Sequence, residues 1–150
     1  MTLSKQHLSS HEKPVIFDVD ALAEALIESC PEVIFAFLMG TSRDGVADVG
    51  SDIDIALYVE GKPTFSLFER LQDVVSQFAP GVHCDVGCLN KAEPVYRYEA
   101  LKGRLLFTRD EEAYLRFYSV TCREYESQLF HYEKQSRYRI QRHGARTGAN

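Results

Sequence analysis

The fold is decided by residues 33–59, which read VIFAFLMGTSRDGVADVGSDIDIALYV. Residues 33–38 are apolar throughout, which is typical of a buried strand. Residues 52–59 alternate instead, so Asp52 and Asp54 share one face of a second strand, while Ile53 and Ile55 lie on the core face. Residues 40–50, rich in Gly, Ser and Asp, predict the connection between the two strands. The stretch therefore predicts two carboxylates side by side at the start of the second strand.

The flanking sequence predicts further elements on both sides. A first helix can be capped by Asp18 or Asp20 and run to Cys30, because apolar residues recur there at helical spacing. The same reasoning predicts a helix at 64–78, a strand at 83–89, a short helix at 95–101, a strand at 104–107 and a long helix from 111 to about 140, followed by a frayed end. This order predicts an α/β (α+β) fold, with a small mixed sheet, helices packed on it and a long C-terminal helix.

A third carboxylate stands in the predicted strand 83–89. Asp85 alternates with the apolar Cys84 and Val86, so it faces away from the core. If this strand lies beside residues 52–59, Asp85 converges with Asp52 and Asp54. Three carboxylates suit a hard cation such as Mg²⁺, and two such ions about 4 Å apart can activate an attacking oxygen and stabilise a leaving pyrophosphate.

The residues that follow the first strand are suited to binding phosphate. Gly40 permits close approach of the backbone, and the hydroxyls of Thr41 and Ser42 can contact a triphosphate. Taken separately, a Gly-Thr-Ser sequence is often only a turn, and an Asp-x-Asp at a strand start is often only a solvated rim. Their combination at this separation favours a nucleotide site.

That combination resembles the signature of the DNA polymerase beta-type nucleotidyltransferase superfamily: Gly40-Thr41, Gly45, and Ser51-Asp52-Ile53-Asp54. Asp85, in CDVGCLN at 84–90, falls where that superfamily places its third carboxylate. The chain departs from the pattern at Thr41, where serine is usual. The resemblance implies that Asp52, Asp54 and Asp85 are the catalytic and Mg²⁺-binding residues. It also implies a nucleoside triphosphate as substrate, with nucleotide binding by a group of four residues: Gly40, Thr41, Ser42 and Ser51.

Two further segments, LNKAEP at 89–94 and YEALKGRLLF at 98–107, resemble the minimal nucleotidyltransferase (MNT) antitoxins of HEPN/MNT toxin–antitoxin modules. This resemblance implies transfer of AMP from ATP onto a tyrosine of a HEPN ribonuclease toxin, which inactivates the toxin, with Asp85 as general base. Two alternatives stay open: a small-molecule nucleotidyltransferase of the aminoglycoside-modifying type, and a non-catalytic antitoxin that masks its partner by contact. The short sequence after Asp110 favours a protein acceptor, since such an acceptor brings its own docking surface.

Charge is divided unevenly along the chain. Residues 1–112 hold ten basic and nineteen acidic residues, a net charge of −9, whereas residues 113–150 hold seven basic and three acidic residues, a net charge of +4. The acidic body predicts no direct nucleic-acid binding, which needs clustered positive charge. We predict three parts: an N-terminal arm at 1–16, a minimal nucleotidyltransferase domain at 17–112, and a C-terminal helix with a basic tail at 113–150. A homo-oligomer is compatible with this organisation.

Neither a signal peptide nor a membrane span is predicted, because the longest apolar run, 33–39, falls far short of the roughly 20 residues that a bilayer requires. We therefore expect a cytoplasmic protein with no membrane association.

The four cysteines are scattered, with no CxxC pair, and are expected to be free thiols.

Several other residues have alternative interpretations. His83 shares a face with Asp85, and we expect it to support that carboxylate by a hydrogen bond rather than to bind phosphate or metal. Arg43 is expected to be a solvated charge, with phosphate binding as the alternative. A tyrosine stripe (Tyr114, Tyr118 and Tyr125) is expected to pack the last helix on the sheet, with self-modification as the alternative. An arginine cluster (Arg137, Arg139, Arg142 and Arg146) is expected to be a solvated helix end, with docking of a partner as the alternative.

Overall fold

The computed structural model describes the backbone of residues 10–147 and the side chains of residues 10–140. The helices are α1 (Val19–Ser29), α2 (Phe65–Phe78), α3 (Pro94–Leu101) and α4 (Glu111–Thr147), with a 3₁₀ turn at Gly40–Asp44. The strands are β1 (Val15–Ile16), β2 (Val33–Met39), β3 (Val46–Ala47), β4 (Ile53–Val59), β5 (Cys84–Cys88) and β6 (Arg104–Thr108). Residues 1–9 of the predicted arm, the side chains of Arg142 and Arg146, and residues 148–150 lie outside the described residues.

The main sheet has the strand order β5-β4-β2-β6. Its β4 and β5 strands are parallel, and α2 provides the crossover that parallel neighbours need. Its other pairs are antiparallel. The predicted mixed sheet with packed helices and a long C-terminal helix is confirmed. The prediction missed a second, two-stranded sheet, in which β1 pairs with β3.

Alternation along β4 divides the buried side chains into two clusters. Ile53, Ile55 and Leu57 join the larger cluster with α1 and α2, whereas Ala56 joins a second cluster that includes Phe35 and Phe117. Because successive side chains of a strand point to opposite faces, the sheet is covered by helices on both sides. The face that carries Asp54 and Ala56 is therefore the face covered by α3 and α4.

The helices begin where the capping residues predict. The Asp18 carboxylate accepts a hydrogen bond from the Ala21 N–H at 3.1 Å, and the Thr64 hydroxyl accepts one from the Leu67 N–H at 3.2 Å. Each side chain satisfies a backbone donor that the first turn of a helix leaves unpaired. At the other end of the chain, α4 continues to Thr147, past the predicted end near Ile140.

Side-chain hydrogen bonds fix the connection between β5 and α3. The Asn90 side chain accepts a hydrogen bond from the Val59 N–H at 3.0 Å and donates one to the Val59 carbonyl at 2.8 Å. It therefore pairs with the last residue of β4, past the end of β5. Arg97 donates from Nε to the Leu89 carbonyl at 3.1 Å and from Nη2 to the Asn90 carbonyl at 2.8 Å. These contacts determine where the first turn of α3 lies on the sheet.

The long helix α4 packs on the body only over its first half. Tyr114 and Phe117 contact Phe35 with ring centroids 5.7 and 5.1 Å apart, and Tyr125 stacks on Tyr98 of α3 at 3.8 Å. Tyr114 and Tyr125 are thus packing residues, as predicted, although Tyr125 packs on α3 and not on the sheet. Tyr118 was predicted to pack too, but it is 48% exposed. From residue 126 to residue 140 the α4 side chains are exposed, apart from a partly buried Ser136.

No helix within the described part of the chain has the length and apolar character of a membrane span.

Candidate functional site

The fold places two of the three predicted carboxylates on neighbouring strands. In the parallel pair of β4 and β5, Asp54 lies directly opposite Asp85. Asp52 lies just before β4, where the Ile53 N–H donates to the His83 carbonyl at 2.9 Å. All three carboxylates are partly buried. The sheet therefore brings Asp52, Asp54 and Asp85 to one end of β4 and β5, as the sequence predicts.

The negative charges of all three carboxylates act on a neighbouring thiol. The pKa of Cys84 is raised, first by burial and then by the negative charges of Asp54, Asp85 and Asp52, in that order. Within residues 10–140, no three His, Cys, Asp or Glu side chains form a ready metal-binding group. Mutual repulsion of carboxylates opposes such a cluster unless a cation is bound.

His83 supports Asp85. Its Nε2 atom lies 2.9 Å from Asp85 Oδ1, and both side chains are partly exposed. This contact agrees with the predicted role of His83 as a hydrogen-bonded support. It restrains the Asp85 carboxylate through one of its two oxygens.

Gly40 closes the site from the β2 side. It follows Met39, which pairs with Asp54 across the antiparallel strands, and its φ of +74° lies in the left-handed region. A Cβ atom added to Gly40 would lie 3.1 Å from Asp54 Oδ2, closer than most Cβ contacts. Only glycine allows the backbone to come this close to the carboxylate without strain.

The predicted phosphate-binding hydroxyls occupy different environments. Thr41 is exposed in the 3₁₀ turn, whereas Ser42 is fully buried, and its hydroxyl has no hydrogen-bond partner among the described residues. The Ser51 hydroxyl donates to the Asp48 carbonyl at 2.7 Å, which closes the turn before β4. Thr41 is therefore the hydroxyl that the fold presents to solvent beside Gly40.

Arg43 holds the 3₁₀ turn against the body. Its Nη1 donates to the Lys102 carbonyl, at the end of α3, over 2.8 Å. The structure thus gives this arginine a tethering role, which neither the solvated nor the phosphate-binding interpretation anticipated.

Sequence reasoning missed Tyr96, which lies beside the carboxylates. A Cβ atom added to Gly87 would lie 2.0 Å from Tyr96 Oη, so the phenol rests directly on the Gly87 backbone. The pKa of Tyr96 is raised, first by burial and then by the charges of Asp54 and Asp85. A glycine inside a short strand, two residues after a candidate carboxylate, was the available signal, because it often marks close approach of another group.

Comparison with known proteins identifies the type of domain. The model of the polymerase beta nucleotidyltransferase family matches residues 22–112. No curated protein sequence matches the chain significantly.

Three solved structures with a similar fold come from toxin–antitoxin systems. A mutant of the toxin–antitoxin MntA-HpeT aligns with a TM-score of 0.63 and 18% identity, covering 82% of this chain and 97% of that chain. A toxin–antitoxin with AMP-PNP aligns with a TM-score of 0.61 and 20% identity, covering 82% and 97%. The tri-AMPylated Shewanella oneidensis HEPN toxin in complex with MNT antitoxin gives a TM-score of 0.57 and 19% identity, covering 81% and 93%. These similarities establish a common fold.

Proposed function

This chain belongs to the polymerase beta nucleotidyltransferase family, and we propose that it is a cytoplasmic antitoxin enzyme that transfers AMP from ATP onto a tyrosine of a HEPN ribonuclease toxin. The observation that carries the proposal is the pairing of Asp54 with Asp85 across β4 and β5, with the Gly40 backbone packed against Asp54. This arrangement gathers hard oxygen ligands beside a glycine, whose backbone a phosphate can approach closely. The structures of a toxin–antitoxin with AMP-PNP and of an AMPylated HEPN toxin support the choice of donor and acceptor.

The donor set fits Mg²⁺. Asp52, Asp54 and Asp85 offer only carboxylate oxygens, which hard cations prefer, and Gly40 leaves room next to Asp54 that a side chain would fill. When bound, two Mg²⁺ ions would stabilise the negative charge that develops on the phosphates during transfer.

Asp85 acts on the acceptor. In the proposed step, the tyrosine oxygen bonds to the α-phosphorus of ATP, the bond from that phosphorus to the bridging oxygen breaks, and pyrophosphate leaves. The phenol proton passes to the Asp85 carboxylate as general base. His83 contacts Asp85 Oδ1 at 2.9 Å, so we assign the proton to the other oxygen of Asp85.

The exposed half of α4 is the surface that we propose for partner docking. It carries five exposed large apolar side chains: Leu129, Phe130, Tyr132, Tyr138 and Ile140. It also carries Arg137 and Arg139, and residues 113–150 together have a net charge of +4. Apolar anchors flanked by arginine are typical of protein interfaces, and this favours a protein acceptor over an aminoglycoside.

Isotope labelling tests the proposal. The chain is incubated with Mg²⁺, a candidate HEPN ribonuclease toxin, and ATP labelled at either the α- or the γ-phosphate. We expect protein-bound label from α-labelled ATP alone, and none when EDTA removes Mg²⁺. Label on an added aminoglycoside would favour the small-molecule enzyme. Tight partner binding without any transfer would favour the non-catalytic antitoxin.

A further inference from the structure

Tyr96, in the first turn of α3, lies over the face of the sheet that carries Asp54 and Asp85. We propose that Tyr96 is a further catalytic residue whose hydroxyl donates a hydrogen bond to a non-bridging oxygen of the phosphoryl group being transferred. The inference rests on the proposed nucleotidyl transfer and adds a residue that neither the carboxylate motif nor the glycine motif contains.

Packing fixes the position of this hydroxyl. Tyr96 lies in the first turn of α3, whose place on the sheet is set by the hydrogen bonds of Arg97 to the Leu89 and Asn90 carbonyls. A Cβ atom on Gly87 would lie 2.0 Å from Tyr96 Oη and 2.8 Å from its Cζ, so the phenol occupies the space that any larger residue would fill. Tyr96 as a whole residue is 36% exposed, so it is not sealed inside the core.

The strand register places this hydroxyl next to the carboxylates. Gly87 pairs with Ala56, just as Asp85 pairs with Asp54 one step earlier on the same face. Residues two apart in a strand are about 7 Å apart. A phenol over Gly87 therefore reaches toward the same space as the Asp54 and Asp85 side chains, and both carboxylates act on it electrostatically.

The chemistry of a phenol suits this role. Burial and the two neighbouring negative charges keep Tyr96 protonated, so it is a neutral donor. Among acidic side chains, such a donor can approach a phosphoryl group without adding to the repulsion. Donors directed at charge that develops in the transition state contribute to the rate more than to ground-state binding.

A matched control lies two residues further along the same helix. Tyr98 stacks on Tyr125 of α4 with ring centroids 3.8 Å apart, so its ring packs against α4. Tyr96→Phe and Tyr98→Phe make the same chemical change on the same helix. Tyr96→Phe removes a hydrogen bond to a charged group. Its single-turnover transfer should therefore be slower than that of the wild type by about tenfold to a hundredfold. The ATP affinity and the melting temperature of Tyr96→Phe should stay near the wild-type values. Tyr98→Phe should also transfer at nearly the wild-type rate.

An ATP analogue with sulfur at a non-bridging α-phosphate position identifies the atom that Tyr96 contacts. Sulfur accepts hydrogen bonds poorly, so the analogue should slow the wild type more than it slows Tyr96→Phe. A purely structural role of Tyr96 would leave this sulfur effect equal in the two proteins.

A second pair of variants tests the packing contact itself. Gly87→Ala should displace the phenol and slow transfer, but it should have little further effect in a Tyr96→Ala background, where the methyl group has space. Wild-type transfer by Tyr96→Phe, equal losses in both phenylalanine variants, or equal sulfur effects would overturn the inference while leaving the proposed function intact. Absence of transfer by the wild-type chain would instead overturn the proposed function.

Discussion

Replacement of Gly40 by alanine is expected to slow transfer strongly at a small cost in stability. The φ of Gly40 is +74°, and an L-residue in this region costs about 1–2 kcal/mol. The new methyl group would also lie 3.1 Å from Asp54 Oδ2, so the carboxylate must move by a few tenths of an ångström. Gly61 provides the control, because its φ is also +74° but no atom lies within 4 Å of an added Cβ.

The two alanine variants separate backbone strain from crowding at the site. For a chain of this length, both should lower the melting temperature by about 2–8 °C, since 1 kcal/mol corresponds to about 2–4 °C. Transfer should differ sharply: Gly61→Ala should retain wild-type activity, whereas Gly40→Ala should lose at least about tenfold, because small misplacements of reacting groups are costly. Single-turnover transfer from α-labelled ATP and thermal melting measure both effects. Full activity of Gly40→Ala, at the same melting temperature as Gly61→Ala, would refute the assignment of Gly40 and Asp54 to the site.

Further predictions concern the carboxylates, the tail and one ion pair. Asp52→Asn should abolish transfer without lowering the melting temperature in the absence of metal, and a much lower temperature would identify a structural role. Asp85→Asn should reduce single-turnover transfer more than ATP affinity, and normal transfer would exclude Asp85 as the base. Truncation after Gln135 should slow partner association most at low salt and leave ATP binding unchanged, whereas identical salt slopes would exclude steering by the tail. The Arg70 guanidinium lowers the pKa of the Glu32 carboxyl in the folded protein. The stability that this pair contributes is therefore present above the ordinary pKa of a glutamate and is lost as pH falls through the lowered pKa of Glu32. Glu32→Gln should therefore lower the melting temperature slightly at pH 7, and the difference should close in acid.

The strands and helices that follow from residue spacing were predictable. Alternation along residues 52–59 assigned Ile53 and Ile55 to the core, and the capping positions Asp18 and Thr64 marked two helix starts. The short β1 and β3 strands were not predictable, because two residues carry no periodicity and their pairing depends on the fold. The end of α4 was also missed, since its exposed half lacks the packed face that gives a helical pattern its contrast.

The site was predictable only where a motif specifies it. The carboxylate pairing followed from alternation on two strands, once β5 was assumed to lie beside β4. The burial of Ser42 and the contact of Ser51 with Asp48 depend on how the turns pack, which the sequence does not display. Tyr96 reaches Gly87 only because α3 folds back over the sheet.

The intact mass of a co-expressed partner decides whether AMP is transferred. A candidate HEPN ribonuclease toxin is expressed either with the wild-type chain or with Asp54→Asn, and its mass is measured after purification. We expect the partner to carry one or more AMP units, attached at tyrosine, with the wild type, and to be unmodified with Asp54→Asn. An unmodified partner with the wild-type chain, or equal modification with both chains, would contradict it.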